Sequence, residues 1–274
     1  MTARVAWISR TPVKAFALQH LDEAQLGEGG VEGDRRFYLV GEAGRLISNK
    51  DFPLFQLIRA VYDEARDELT LTLEDGREVR GTVERGEEVT TRFHRRPRPA
   101  RLVAGPWSDV LSELAGEPLR LVEPSTSAVD RGPGGAATLL ATASLGALGE
   151  QLGVDSVDGR RFRMNFGVEG LEAHEEDSWI GRRVRVGDAV VIPQGNVGRC
   201  VITTQNPDTA VSDLDTLKGL AAYRRGGADL PFGDPGRAHG VAMEGYYWRL
   251  WDPGSGRVVI ALCGVCRDAG GAPW

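Results

Sequence analysis

A chain of 274 residues with 26% charged and 41% hydrophobic side chains has a soluble globular balance and enough length for two ordinary domains. Its net charge of −6 argues against general affinity for nucleic acid or membrane surfaces, which need a basic face. Three cysteines, no apolar run approaching ~20 residues and no secretory pattern at the N-terminus point to a cytoplasmic protein without a disulfide framework or a membrane span.

In chain order, residues 4–9 read as a strand, and Pro12 then bends the chain and delivers Lys14 at the strand exit. An ammonium there suits a phosphate, although a lone lysine also fits a solvated surface. After the turn-rich residues 29–34, alternation over 35–40 points Arg36, Tyr38 and Val40 to one face and Arg35, Phe37 and Leu39 to the other. Arg36 suits either an anion or a structural ion pair, and no P-loop or dinucleotide fingerprint is present. Residues 56–61, 68–73 and 78–83 read as successive strands, with a hairpin turn at Asp75 and Gly76. The basic, proline-punctuated stretch 92–101 reads as a solvated loop.

Ser108 is the expected cap of a helix carrying Val110, Leu111 and Leu114, stopped by Gly116. Strand resumes at 119–122, and 124–135 reads as the crossing between halves. Thr142 is the expected cap of a second helix with Leu145, Leu148 and Leu152 on one face. Residues 160–168 supply three arginines and Asn165 before a strand, 172–177 an acidic loop, and 179–192 two strands about a Gly-Asp turn. Leu214, Leu217 and Leu220 mark a third short helix, and 246–251 and 258–262 read as closing strands.

Cys200 lies between a glycine-bearing loop (Gly195, Gly198) and the run 201–204, which reads as a strand. The guanidinium of Arg199 next door favours a thiolate, the form that attacks or binds a soft metal; the plainer account is a small buried hydrophobe. Cys263 and Cys266 form a C-x-x-C with no second pair or spaced histidine, which disfavours zinc and leaves ordinary thiols or a redox pair.

Several fragments in order resemble the molybdenum cofactor sulfurase C-terminal (MOSC) domain family, whose members include the mitochondrial amidoxime-reducing component and bacterial N-hydroxylated-compound reductases. They are Pro12-Val-Lys14, Glu32-Gly-Asp-Arg-Arg-Phe-Tyr-Leu-Val40, Arg161-Phe-Arg-Met-Asn165, Glu176-Asp-Ser-Trp179, Val186-Gly-Asp188, Gly198-Arg-Cys-Val-Ile-Thr-Thr204 and Asn206-Pro-Asp-Thr209. The resemblance implies an α+β, mostly β fold: an N-terminal β-rich, barrel-like domain (1–123) packed on a C-terminal β-barrel domain (124–274) with a few short helices. It implies a molybdenum cofactor (Mo-molybdopterin) in the cleft between them, with Cys200 as catalytic residue and metal ligand. Lys14, Arg36 and Arg163 match positions holding phosphate and pterin, Asn165 an amide contact, Arg199 the neighbour of the thiolate, and Tyr247 falls near a tyrosine close to the cofactor. The sequence departs from the pattern at Ala15, Gly134, Gly135, Gly198 and Ala210, where relatives carry hydroxyl residues or, at the last, glycine.

The expected activity is reduction of a small N-oxygenated compound by oxygen-atom removal, in a monomer fed by a separate ferredoxin- or flavin-type reductase. The alternatives are a cysteine persulfide sulfur carrier and a non-catalytic cofactor-binding protein.

Overall fold

The computed structural model describes residues 3–27, 29–93, 96–125, 137–224, 242–250, 258–261 and 265–268, without the side chains of 96, 194–196, 223–224 and residues beyond 241. Residues 126–135 of the expected crossing, with Gly134 and Gly135, lie outside this range, as do 225–240 and Cys263, and Cys266 is described in backbone alone.

Alternation sorts the segment around Tyr38–Val40 between two cores. Phe37 and Leu39 pack with Val13, Phe55, Leu69, Leu71 and Trp107, whereas Tyr38 and Val40 pack with Ala100 and Val122. The five-stranded sheet around this segment runs Glu84–Phe93, Arg96–Ala104, Arg120–Pro124, Tyr38–Val40, Leu46–Ile47. A three-stranded meander, Arg59–Asp63, Glu68–Thr72 and Glu78–Thr82, completes this half. These are two sheets rather than the one barrel the sequence suggests, and the end strands of the larger approach at the isolated bridge between Arg45 and Arg92.

The second half is built on an eight-stranded sheet in the order Phe166–Glu169, Ala137–Ala141, Ala242–Leu250, Ala189–Gly198, Val184–Val186, Val265–Asp268, Ala3–Arg10, Gln19–Leu21. Its member Ala3–Arg10 also pairs antiparallel with Phe166–Glu169, so the first strand of the chain sits inside the sheet of the second half. Ala3, Val5, Ile8, Ala24, Leu26 and Val31 accordingly share one core with Leu139, Phe166, Val184 and Val191. Burial of such side chains, worth about 1.5–3 kcal/mol each, interlocks the two halves.

Three α-helices are present among the described residues: α1 (Trp107–Ala115), α2 (Thr142–Leu152) and α3 (Thr216–Arg224). The expected caps do other work. Ser108 lies inside α1, and its hydroxyl accepts the Leu121 N–H at 3.1 Å, tying the helix to the five-stranded sheet. Thr142 begins α2 without capping it; the Glu176 carboxylate accepts from Ala141 N–H (3.2 Å) and from the Ser144 hydroxyl (2.8 Å) instead. Both helices close on glycines in the left-handed region, Gly116 (φ 71°) and Gly153 (φ 69°).

Several segments differ from expectation. The strand expected over 35–40 begins at Tyr38, with Arg35 in a turn, and of 56–61 the first two residues belong to the 3-10 helix Pro53–Leu57. Much of the basic stretch is strand, in the hairpin of Glu84–Phe93 with Arg96–Ala104; Pro97 and Pro99 fall beyond the Ala100–Leu102 pairing to the next strand, where a missing N–H costs nothing. Trp179 closes a 3-10 helix, Glu175–Trp179, which takes up residues 175–177 of the expected acidic loop. On either side of Cys200 the order is inverted: Ala189–Gly198 is strand and Val201–Thr204 is a 3-10 turn. The Thr203 and Thr204 hydroxyls donate back to the Cys200 and Val201 carbonyls (3.1 and 2.7 Å), so β-favouring residues are held in a turn.

Candidate functional site

The site is organised around residues 158–165. Trp7 brackets this stretch, because a Cβ on Gly159 or Gly167 would come within 2.9 or 2.1 Å of its ring, so bare backbone at both ends lets the indole pack against it. Between them a short 3-10 turn, Gly159–Phe162, is capped by the Asp158 side chain. The arginines that follow in sequence run to different elements. Arg160 forks onto Asp208 (2.8 and 2.6 Å) and also pairs with Asp158. Arg161, buried, donates to the Thr204 carbonyl (3.0 Å) and pairs with Asp213 (2.7 Å). Arg163 donates to the Phe16 carbonyl, two residues beyond Lys14.

Two of these arginines shift the carboxyls they meet. The Arg160 guanidinium holds Asp208 below the usual carboxylate range. Burial pushes Asp213 up, but the Asn206 amide and Arg161 outweigh it and the carboxyl ends below its usual range.

Arg163 has φ 54°, in the left-handed region, and its carbonyl accepts from Arg35 Nη2 at 2.9 Å. Arg35 is itself left-handed (φ 51°) and its other arm meets Asp34. Asp34 also accepts the Thr11 N–H and the Asn165 amide, both at 3.0 Å. Ala15 (φ 82°) is a third left-handed residue, its carbonyl held by Asn49 Nδ2 at 2.6 Å. Such conformations cost non-glycine residues about 1–3 kcal/mol each and persist where surrounding bonds enforce them. Here Ala15 follows Lys14, Arg35 precedes Arg36, and the remaining one is Arg163 itself.

Asn165 is 1% exposed and its amide is saturated. The oxygen accepts from Thr138 N–H and Oγ1 (3.1 and 3.0 Å), and the nitrogen donates to the Ser9 carbonyl and Asp34 (3.0 Å each). It joins the first strand, the 29–37 turn and strand Ala137–Ala141. Arg199, 6% exposed, donates to the Phe162 carbonyl (3.3 Å) and the Met164 sulfur (3.0 Å), and its guanidinium lies 5.5 Å from the Phe162 ring centre. Cys200, the next residue, is a free, half-buried thiol at the start of the Val201–Thr204 turn. The loop then continues to Gln205, which donates to the Asn49 carbonyl at 3.0 Å, and to Asn206, whose carbonyl accepts from Gln56 at 3.0 Å.

Arg163, Asn165, Arg199 and Cys200 thus sit on neighbouring backbone at the seam between halves, with the Lys14 turn joined through Phe16. Lys14 places its ammonium 5.7 Å from the Phe93 ring centre. Arg36 points elsewhere: it pairs with Glu123 at 2.9 Å and lies 5.1 Å from the Tyr62 ring centre, and its buried Nε meets no acceptor among the described residues. Tyr247 is opposite Thr138 on strand Ala242–Leu250, described in backbone alone. Beside Arg163 a pocket of about 390 Å³ is lined by Gln56, Arg59, Glu74, Arg160 and Asp208 among others. Asp34, Arg35, Arg161, Asn49, Gln56 and Gln205 were not singled out as site residues from the sequence; a signal for the first three was their place inside the quoted Glu32–Val40 and Arg161–Asn165 motifs.

The donor set fits a metal that arrives with its own organic ligand. Among the described residues no three His, Cys, Asp or Glu side chains gather to cage an ion. What the seam offers is one half-buried soft sulfur and a guanidinium beside a polar pocket. Gly198 borders open space, since a Cβ there meets nothing within 4 Å.

The MOSC N-terminal beta barrel domain model matches residues 2–105, and the MOSC domain model matches residues 127–258. The chain belongs to the MOSC family. This MOSC chain is 26% identical over 259 residues to the molybdenum cofactor sulfurase of Oryza sativa, covering 81% of this chain and 31% of that protein. It is 25% identical over 254 residues to the human mitochondrial amidoxime-reducing component 1, covering 82% of this chain and 72% of the relative. The MOSC chain therefore spans about a third of the rice protein's length, and both relationships are distant. Among solved structures, the YUAD protein from Bacillus subtilis aligns over 97% of this chain and 94% of that one, at 12% identity and a TM-score of 0.44. No described helix is long and apolar enough to cross a membrane.

Proposed function

We propose that this MOSC chain is a molybdenum-cofactor-dependent reductase of N-oxygenated compounds, with Cys200 as the protein ligand to the metal. The observation that supports it is the Arg199 contact with Phe162 and Met164, which ties the Cys200 loop to the stretch carrying Arg163 and Asn165. Such a cofactor supplies two-electron, oxygen-atom-removing chemistry when bound. The chain's own residues then have separable tasks. Cys200 provides a soft donor, and Arg163 and Lys14 compensate an anionic organic ligand, whereas Arg36 is committed to Glu123. Asn165, Asp34 and Arg35 fix the backbone on which those groups stand. Electrons come from a separate ferredoxin- or flavin-type reductase.

Replacing Cys200 with Ala tests the reading. Metal analysis and amidoxime reduction with a chemical reductant should both fall, activity by about a hundredfold or more. Full molybdenum content with undiminished reduction would refute it. A persulfide carrier keeps one support, since Cys200 is free and half-buried rather than enclosed. Intact mass separates the two, because a persulfide adds one sulfur that a thiol reductant removes.

A further inference from the structure

The second notable cavity lies away from the seam, in the first half of the chain. It measures about 480 Å³, inside the range of about 300–1,000 Å³ typical of small-molecule sites. Its walls are the 3-10 turn Pro53–Leu57 with the residues around it, the 73–75 hairpin turn, and Leu114 of α1. Phe52 and Phe55 set the floor, their ring centres 5.2 Å apart, and Phe55 is held from behind by an edge contact with Phe16 at 5.8 Å. Leu54 is 61% exposed and Leu114 49% exposed. Apolar side chains left in water around one concavity mark a contact site rather than a spare piece of core.

The charges at this pocket have one sign. Its ionisable lining residues are Asp51, Glu74 and Asp75, with no lysine, arginine or histidine among them. Asp51 is taken up by Arg45 (2.6 Å) and by the Ser48 N–H (2.9 Å). Asp75 accepts the Arg77 N–H at 2.9 Å and has the Arg77 guanidinium 3.8 Å away. Glu74 makes no ion pair among the described residues. An apolar cavity whose ionisable lining is acidic disfavours anions and favours a cation, the more so with phenyl rings in the wall.

We infer that this pocket binds an organic cation with a flat apolar body, such as an aryl amidine or arylalkyl amine, with Glu74 as the charge partner. Leu73 and Glu74 also line the pocket beside Arg163, and Gln56 of the same 3-10 turn bonds Asn206, so the bound cation borders the seam without occupying it. The inference needs no cofactor and stands apart from the reductase reading.

Titration calorimetry of the full chain with benzamidine, and with benzoate as its anionic counterpart, tests it. Leu114→Arg and Glu74→Gln change exposed positions and are checked for folding by thermal melts. Benzamidine should bind saturably, with benzoate at least about tenfold weaker. Glu74→Gln should weaken benzamidine about three- to tenfold, and Leu114→Arg should remove the binding. No saturable binding, equal affinity for the two ligands, or indifference to both substitutions overturns the assignment.

Discussion

Asn165 carries more of this site than its size suggests. Its amide makes four hydrogen bonds inside a region from which water is excluded, to Thr138, Ser9 and Asp34. Removing it takes the side-chain partner from Thr138 N–H and the Ser9 carbonyl, while Asp34 keeps Arg35 and Thr11, and buried polar groups without partners cost about 1–3 kcal/mol each. Asn165→Ala should therefore lower stability by about 2–4 kcal/mol in urea melts. A loss under about 0.5 kcal/mol would mean the amide is idle in the fold. The sequence marks Asn165 as polar before a strand and, through the family pattern, as a cofactor contact; that its four bonds are already used follows only from bringing residues 9, 34 and 138 together. The same limit hides Asp34 and Arg35, because spacing does not tell a buried ion pair from a solvated turn. Arg36 illustrates the converse: alternation places it on a face, but the partner on that face is Glu123, 87 residues along the chain.

At the level of elements, the motif Glu176-Asp-Ser-Trp179 acquires a physical role as the N-terminal anchor of α2. Glu176 is 1% exposed, and burial pushes its carboxyl above the usual range despite the bonds from Ser144 and Ala141. For an acid raised in the folded state, the stabilising contribution is complete below the unfolded-state pKa and disappears as pH climbs through the folded-state value. Wild-type stability should thus decline from the ordinary carboxylate range upward through this group. Glu176→Gln, neutral throughout and able to accept the same two bonds, should flatten that decline when urea midpoints are compared at about pH 5 and about pH 8. An unchanged slope would show that the carboxyl titrates normally. Elements with simple periodicity were legible in the sequence, including the strand pairs of the 59–82 meander and the three short helices. The Val201–Thr204 turn was not, because threonine back-bonding overrides β propensity, nor was the α2 cap, which comes from 34 residues beyond Thr142.

For the whole molecule, the two family matches in sequence correspond to halves that exchange structure. The first strand, Ala3–Arg10, completes the sheet of the second half, and Gln56, Asn49 and Phe16 of the first half bond to residues 163–206 of the second. Composition and motif order convey a mostly β, two-part family fold, but strand order in a sheet is set by long-range pairing that no local pattern encodes. That interlocking is what sets Cys200 beside a seam carrying guanidinium groups from both halves. The central claim is that this sulfur binds the metal. Molybdenum-edge X-ray absorption of the cofactor-loaded wild type and of Cys200→Ser measures it directly. The account predicts one fewer sulfur neighbour around molybdenum in the variant; an unchanged sulfur shell would contradict it.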